Sequence, residues 1–407
     1  MRVWQQARGR QVTEGFAGDE RSARTPLREL ALLFLKLGTI AFGGPAAHIA
    51  MMEDEVVRRR RWLTSSEFLD YVGATNLIPG PNSTELAIHI GHARAGWRGL
   101  LVAGACFILP AVLIVSAIAW VYVRFGALPE AAWLLYGVKP VVIAVIVQAI
   151  WRLGRSAVKT RGLAALGAAA IVTVLLGGDE LAVLAAAAVV MAIAHAIRNR
   201  RTRSSTAACI VLPAILSQAL PPLGRAAAAV PFALDSLFLV FLKVGAILFG
   251  SGYVLLAFLQ RDLVDRMGWI SSTQLLDAVA VGQITPGPVF TTATFIGWIL
   301  GGSTGAAVAT AGIFLPAFVF VALSGPIVPR LRRSAIAGAV LDAVNVASLA
   351  LMAAVTLRLA GSALVDPFTV ALAGISAFMV IRLRVNSAWL VLIGALAGLI
   401  ASVLAGR

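Results

Sequence analysis

Apolar residues run along this chain in twelve long stretches, and polar positions gather in the short gaps between them. The stretches fall near 30–52, 68–91, 98–123, 132–151, 162–177 and 181–197, then near 232–258, 275–300, 304–325, 335–357, 367–381 and 387–404. A shorter run, 206–220, ends in Pro221-Pro222 and lies between the two sets. Lengths of this kind, without the period-two alternation of a membrane strand, predict helices that cross a bilayer. The expected fold is an all-α polytopic membrane protein. One stretch in each set is broken in the same way, at Asn76-Leu77-Ile78-Pro79-Gly80-Pro81-Asn82-Ser83-Thr84-Glu85 and at Gln283-Ile284-Thr285-Pro286-Gly287-Pro288. Proline removes backbone donors and glycine loosens the chain, so a helix reaching either point must stop. In hydrocarbon an unpaired backbone group costs several kcal/mol, so such breaks are tolerated only against protein or a polar cavity. The doubled break therefore predicts a substrate site inside a transporter.

The two sets of stretches are copies of one another. Phe34-Leu35-Lys36-Leu37-Gly38 recurs as Phe241-Leu242-Lys243-Val244-Gly245, 207 positions later. Phe42-Gly43-Gly44 matches Phe249-Gly250-Ser251, Trp62 matches Trp269 and Asp70 matches Asp277 at the same offset. Pro79-Gly80-Pro81 matches Pro286-Gly287-Pro288, after which the offset slips to 206, with Leu109-Pro110 on Leu315-Pro316 and Arg152 on Arg358. The predicted organisation is a basic cytoplasmic tail over 1–26, one transporter repeat over 27–197, a linker over 198–231 with a short crossing segment, and a second repeat over 232–407.

Composition agrees with a membrane setting: 59% of residues are hydrophobic and 13% charged, and mean hydropathy is +0.90. The net charge of +15 would point to nucleic acid in a soluble protein, but here the arginines fall in short loops and report topology. In the first half the loops after the fourth and sixth stretches are basic; in the second half the basic loops follow the third and fifth. The positive-inside rule makes this an inverted-topology repeat, with the N-terminus cytoplasmic and the C-terminus external. Basic residues also lie before the first stretch, after it at Arg58 to Arg61, and after the second at Arg94 and Arg98. Re-entrant hairpins turning at Gly43-Gly44-Pro45 and at Pro79-Gly80-Pro81 would keep all three clusters inside; the alternative is 13 conventional spans. The first 29 residues lack an apolar core, which predicts no cleavable signal peptide. Cys106 and Cys209 lie in apolar stretches and show no metal spacing.

The candidate substrate-binding residues are those of the breaks. Asn82, Ser83, Thr84 and Glu85 make a helix start whose free amides and dipole favour an anion, with Asn76, Pro79 and Gly80 before them. The second half offers Gln283, Thr285, Gly287 and Thr291, and the tips of the first hairpins offer Gly43, Gly44, Gly250 and Ser251. The bland alternative is that Asn82 and Glu85 form a capping box and the hydroxyls satisfy backbone groups. Lys36 and Lys243 hold equivalent places deep in apolar sequence, where a cation is costly unless paired or facing a cavity; snorkelling to an interface is the alternative. Glu85, Asp70, Asp277, His48 and His89 are candidates for a coupling proton, although the two aspartates fit equally as caps of interfacial turns and the histidines as packing residues. There is no P-loop, nucleophile elbow or Cys/His cluster, so no enzyme activity, ATP coupling, cofactor or metal is predicted.

The strings Phe34-Leu-Lys-Leu-Gly38, Phe42-Gly-Gly-Pro45, Pro79-Gly-Pro-Asn-Ser-Thr-Glu85 and Gln283-Ile-Thr-Pro-Gly-Pro288 resemble the chromate ion transporter family, in its long, fused form. The resemblance implies a secondary transporter of the inner (plasma) membrane that expels chromate from the cytoplasm, driven by the membrane potential or a proton gradient, and so confers resistance. Sulfate has the same charge and shape, so transport of sulfate or another oxyanion is the alternative. The implied partners are a small tetrahedral oxyanion, the lipid bilayer and at most a second copy in a homodimer, with no nucleic acid.

Overall fold

Each apolar stretch folds as helix, and each Gly/Pro break ends one. The computed structural model describes residues 25–42, 44–125, 129–199, 231–249, 254–383 and 385–404. Among the described residues there are fourteen α-helices and no strand. The expected crossing at 206–220, the tail before residue 25, Cys209, Gly43, Gly250 and Ser251 lie outside them.

The first half opens with α1 (Leu27–Ile40) and α2 (Pro45–Glu53), which runs on as a π-helical turn, Asp54–Arg59. Next come α3 (Ser65–Thr75), the Pro-Gly-Pro break, and α4 (Asn82–Phe125). Three helices complete this half: α5 (Pro129–Ala157), α6 (Arg161–Leu175) and α7 (Glu180–Asn199). The second half runs in the same order. It has α8 (Leu234–Ile247), α9 (Leu255–Leu259) with its own π-helical turn Gln260–Arg266, α10 (Ser272–Ile284), and a 3₁₀ turn Val289–Thr291 leading into α11 (Thr292–Arg333). It ends with α12 (Ala335–Ala363), α13 (Pro367–Arg382) and α14 (Ser387–Leu404).

The contacts at the ends of these helices decide between spans and hairpins. Arg60, after the first π turn, donates to Glu29 in the first turn of α1 at 2.6 Å, so the chain has come back to where α1 began. Arg94 donates to the Trp62 carbonyl at 3.2 Å, and the Thr25 amide donates to the Arg94 carbonyl at 3.1 Å. The ends of both units therefore meet beside Trp62, with the tips 41–44 and 76–81 at the far end. In the second half the Phe232 and Trp269 rings stand 5.3 Å apart, and a Cβ on Gly301 would touch Phe232 at 3.2 Å. α3 has 11 residues, about 16 Å of helix, which is half a hydrocarbon thickness. Both units turn back on themselves as hairpins.

α4 is itself two helices. At Ala95 (φ −143°, ψ 20°) and Gly96 (φ 60°, ψ −147°) the chain reverses, and Gly301 (φ −145°, ψ 23°) and Gly302 (φ 61°, ψ −149°) repeat the turn within α11. After the reversal Gly91 and Gly99 pack backbone against backbone, as do Gly297 and Gly305. Only glycine permits so close an approach.

Among the described residues five helical stretches, two of them containing these reversals, are long and apolar enough to cross a membrane: Asn82–Phe125, Trp133–Ala157, Glu180–Ile197, Val289–Ser324 and Ala335–Ala363. They pack by exchange between the halves. α5 lies against α13 and α14, and α12, its counterpart, lies against α6 and α7.

The caps are not where the sequence put them. Thr64 with Glu67 and Ser271 with Gln274 form capping boxes at α3 and α10, so neither Asp70 nor Asp277 caps those helices. Asp366 caps α13, and the Tyr136 hydroxyl of α5 donates to it, holding its carboxyl below the usual carboxylate range. Asp366→Ala is expected to cost about 1 kcal/mol. Because the folded carboxyl is the more acidic one, this stabilisation is present at neutral pH and is lost as pH falls through its folded value. Thermal melts of wild type and variant should differ at pH 7 and converge in acid.

Candidate functional site

The two breaks are held in place by each other's half. Gly80 has φ +140°, and its amide donates to the carbonyl of Leu248, the residue that ends α8, at 2.8 Å. Gly287 has φ +91°, and its amide donates to the carbonyl of Ala41, the residue that ends α1, at 3.0 Å. In these hydrogen bonds each Pro-Gly-Pro break is anchored on the other half's first hairpin. The His48 ring nitrogen Nε2 donates to the same Ala41 carbonyl at 3.0 Å and the ring stands edge-on to Phe107 at 5.7 Å, so His48 locks the first tip. Gly44 (φ 79°) opens α2 immediately beyond it.

At the first break Asn82 donates to Asn76 at 2.7 Å, bridging the ends of α3 and α4, and Pro79 and Gly80 sit between them. The Thr84 and Glu85 amides both go to the Pro81 carbonyl, at 2.8 and 3.0 Å. Among the described residues no acceptor takes up the amides of Asn82 and Ser83. The capping box weighed as the alternative for Asn82 and Glu85 does not form. Glu85 is 0% exposed, and neither of its carboxyl oxygens has a hydrogen-bond partner. A Cβ on Gly80 would overlap Glu85 Oε1, so glycine makes room for the carboxyl at the tip. Thr84 Oγ1 and His89 Nε2 are also buried without partners, and His89 lies one turn beyond Glu85, stacked on Tyr71 at 5.5 Å.

At the second break the hydroxyls are used locally. Thr285, Thr291 and Thr292 donate to the carbonyls of Val281, Pro288 and Val289 at 2.8 to 2.9 Å. Gln283 is 7% exposed, and its Nε2 lacks an acceptor. Glu85 thus has no counterpart here: Thr292 stands at its place in the repeat and is satisfied.

Both lysines come with their own carboxylate. Lys36 Nζ lies 2.7 Å from Glu55, and Lys243 pairs with Asp262. Each acid sits on a π-helical turn, the widened turn that recurs at functional sites. The sequence reading missed both acids, although Glu55 and Asp262 stand at the same 207-residue offset as the lysines. The aspartate pair diverges. Asp70 is exposed, whereas Asp277 is 1% exposed, accepts the Tyr122 hydroxyl at 2.9 Å and lies 3.8 Å from Lys139. Among the described residues no His/Cys/Asp/Glu group is arranged to hold a metal.

The arrangement offers helix starts, unwound backbone and unpaired polar side chains inside an apolar bundle, which suits a small desolvated anion. A family model described as Chromate transporter matches residues 28–197 and again residues 236–399. The chain is 36% identical over 315 residues to a probable chromate transport protein of Synechococcus elongatus, covering 74% of this chain and 76% of that one. It is 34% identical over 318 residues to a chromate transport protein of Cupriavidus metallidurans, covering 76% and 77%. A chromate transport protein of Pseudomonas aeruginosa is 34% identical over 298 residues, with 72% and 71% covered. No solved structure matches the chain.

Proposed function

Because the chain belongs to the chromate transporter family, we propose that it is a secondary transporter that exports chromate from the cytoplasm, driven by the membrane potential or the proton gradient, and so confers resistance. The observation that carries this reading is the crossed anchoring of the tips, Gly80 on Leu248 and Gly287 on Ala41. It gives the unwound backbone of both breaks partners in protein, the condition under which broken helices persist in a membrane and bind ions.

The inverted arrangement of two repeats, 27–197 and 232–407, is part of the proposal. Contacts between the halves support it. Lys159 pairs with Asp342 at 2.8 Å on the face that carries Arg152, Arg155 and Arg161, the arginine-rich face. Arg261 pairs with Asp179, and Tyr136 bonds Asp366, on the opposite face. Tyr122 lies beyond the tip level on the side away from the first half's hairpin bases, yet it meets Asp277, which lies between the second break and its own hairpin base. Hairpins entering from opposite sides account for all four contacts. The Arg94–Trp62 side is then cytoplasmic, and the C-terminal end of α14 external.

The substrate in this scheme is a tetrahedral dianion held at the breaks by the Asn82 and Ser83 amides, with Thr84, Gln283 and the two lysines around it. An inward-negative potential favours its export by about 2.3 kcal/mol per charge per 100 mV. Glu85 carries the coupling proton. The lysines keep donors to spare beside Glu55 and Asp262, and the substrate takes these up.

Everted vesicles energised by respiration are expected to accumulate labelled chromate, and Lys36→Ala is expected to abolish the uptake. That variant also breaks the Lys36–Glu55 pair and leaves Glu55 to Arg59 and Arg60, so Lys36→Ala/Glu55→Gln is the decisive one. Uptake that stays lost in the double variant supports a lysine contact with the anion; uptake restored by it assigns Lys36 to structure alone. Sulfate added at equal concentration measures how far the site separates the two oxyanions.

A further inference from the structure

On the arginine-rich face a cavity of about 770 Å³ opens between α5, the first hairpin tip and the start of α14. One stripe of α5 lines it: Gln148, Arg152 and Arg155, at i, i+4 and i+7, with Val145 continuing inward. Asn386 and Ser387 face them from the start of α14, where Asn386 Oδ1 accepts the Ala388 amide at 2.9 Å. Phe42 closes the inner end. It follows Ala41, whose carbonyl receives the Gly287 amide, so the cavity wall is continuous with the second break.

The charge of this cavity is one-sided. Two guanidinium groups and a helix N-terminus face it, and no carboxylate lines it. Among the described residues neither Arg152 nor Arg155 has an ion-pair or hydrogen-bond partner, whereas Lys36, Lys139, Lys159, Lys243 and Arg261 each pair with a carboxylate. The second half lacks the feature. Arg358, the counterpart of Arg152, donates to the Val174 carbonyl at 2.9 Å, and Gly361 stands at the counterpart of Arg155. A concave wall with like charges and low-dielectric sides raises the local concentration of the opposite ion. The void beside the second break, lined by Ile146, Gln283, Val289 and Thr292, measures about 10 Å³, room for one water and not for a tetrahedral oxyanion.

We propose that this cavity is a capture site for oxyanion dianions, in which Arg152 and Arg155 hold the anion on the cytoplasmic side before it reaches the breaks. The proposal rests on the transport reading given above. It differs from that reading in assigning a second anion position, on one half only, built from residues outside the breaks. A phosphate could come to these arginines either as a free oxyanion or on a lipid headgroup, and the test separates the two.

The purified full chain is placed in nanodiscs of phosphatidylcholine alone, and saturable binding of labelled sulfate and chromate is measured. Wild type is expected to bind both; Arg152→Gln/Arg155→Gln is expected to weaken binding at least tenfold with an unchanged melting temperature. Arg161→Gln, which removes one positive charge outside the cavity, is expected to leave binding as it was. In vesicles the double variant should raise the KM for chromate at least tenfold and leave the maximal rate within twofold. Equal loss in Arg161→Gln would reduce the effect to general surface charge and overturn the proposal. So would wild-type binding unaffected by the double variant, no saturable binding at all, or an effect that appears only when phosphatidylglycerol is present. If binding depends on both arginines but no flux of either anion is found, the capture site stands and the transport reading fails.

Discussion

Glu85→Gln is expected to lower proton-gradient-driven chromate flux at least tenfold while leaving as much folded protein as wild type. The carboxyl is fully buried at the tip of the first break, both oxygens lack partners, and Gly80 leaves the space it occupies. A carboxylate held there as an anion costs several kcal/mol, because neither water nor a cation repays its lost hydration. A carboxylic acid of the same shape does not carry that penalty. A group that must take a proton to sit here, and give it up when the site opens to water, links proton movement to the opening itself. Glutamine keeps the volume and polarity and removes the titration, so the variant should melt no lower than wild type. At a clamped potential, a pH step should drive flux in wild type and none in the variant. Undiminished pH-driven flux in Glu85→Gln would assign the coupling proton elsewhere. The next candidate is then Asp277, which shares its burial but has Tyr122 and Lys139 beside it.

Gly91→Val is expected to remove most folded protein from the membrane, and Gly297→Val to do the same. Each glycine lies where a broken helix has turned back on itself, with its α-carbon against the carbonyl of Gly99 or Gly305 and a neighbouring Ala103 or Ala309 side chain alongside. Any Cβ must push the two helices of the reversal apart. Overpacking of this kind costs about 1–3 kcal/mol where side chains can yield, and more where the obstacle is backbone. Separating these helices also moves the break at the other end, so any protein that survives should transport poorly. Gly154→Ala serves as the control, because a Cβ there meets nothing within 4 Å and alanine favours the helix. Immunoblots of membrane fractions and melting temperatures in detergent read both effects. Wild-type levels of folded Gly91→Val would show that the reversal at Ala95-Gly96 tolerates a wider angle.

Much of this architecture was legible beforehand because it is written in local chemistry. Apolar length predicts helix in a bilayer, Pro-Gly-Pro stops a helix whatever surrounds it, and loop arginines report sidedness one loop at a time. The turning-back of the first two stretches was legible for the same reason: three basic clusters flank them, and Arg60 and Arg94 come back beside Glu29 and Trp62. The roles of single polar residues were less legible. Asp70 and Asp277 align in sequence yet one is exposed and the other buried against Tyr122, because the neighbour that decides the matter comes from a different helix. Lys36 and Lys243 read as cations that need a partner or a cavity, but the partners, Glu55 and Asp262, lie across their hairpins on π turns that no local pattern marks.

The sequence by itself determined the class of the molecule, its doubling, and the points where helices must end. The class and the helix ends depend on residues within a few positions of one another, and the doubling on local strings that recur about 207 positions later. The tertiary structure alone decided which break meets which tip, that Glu85 rather than a capping partner occupies the first break, and that Arg152 and Arg155 share a cavity with the start of α14. Each of these joins residues far apart in the chain, and only the packing of helices brings such groups within bonding distance.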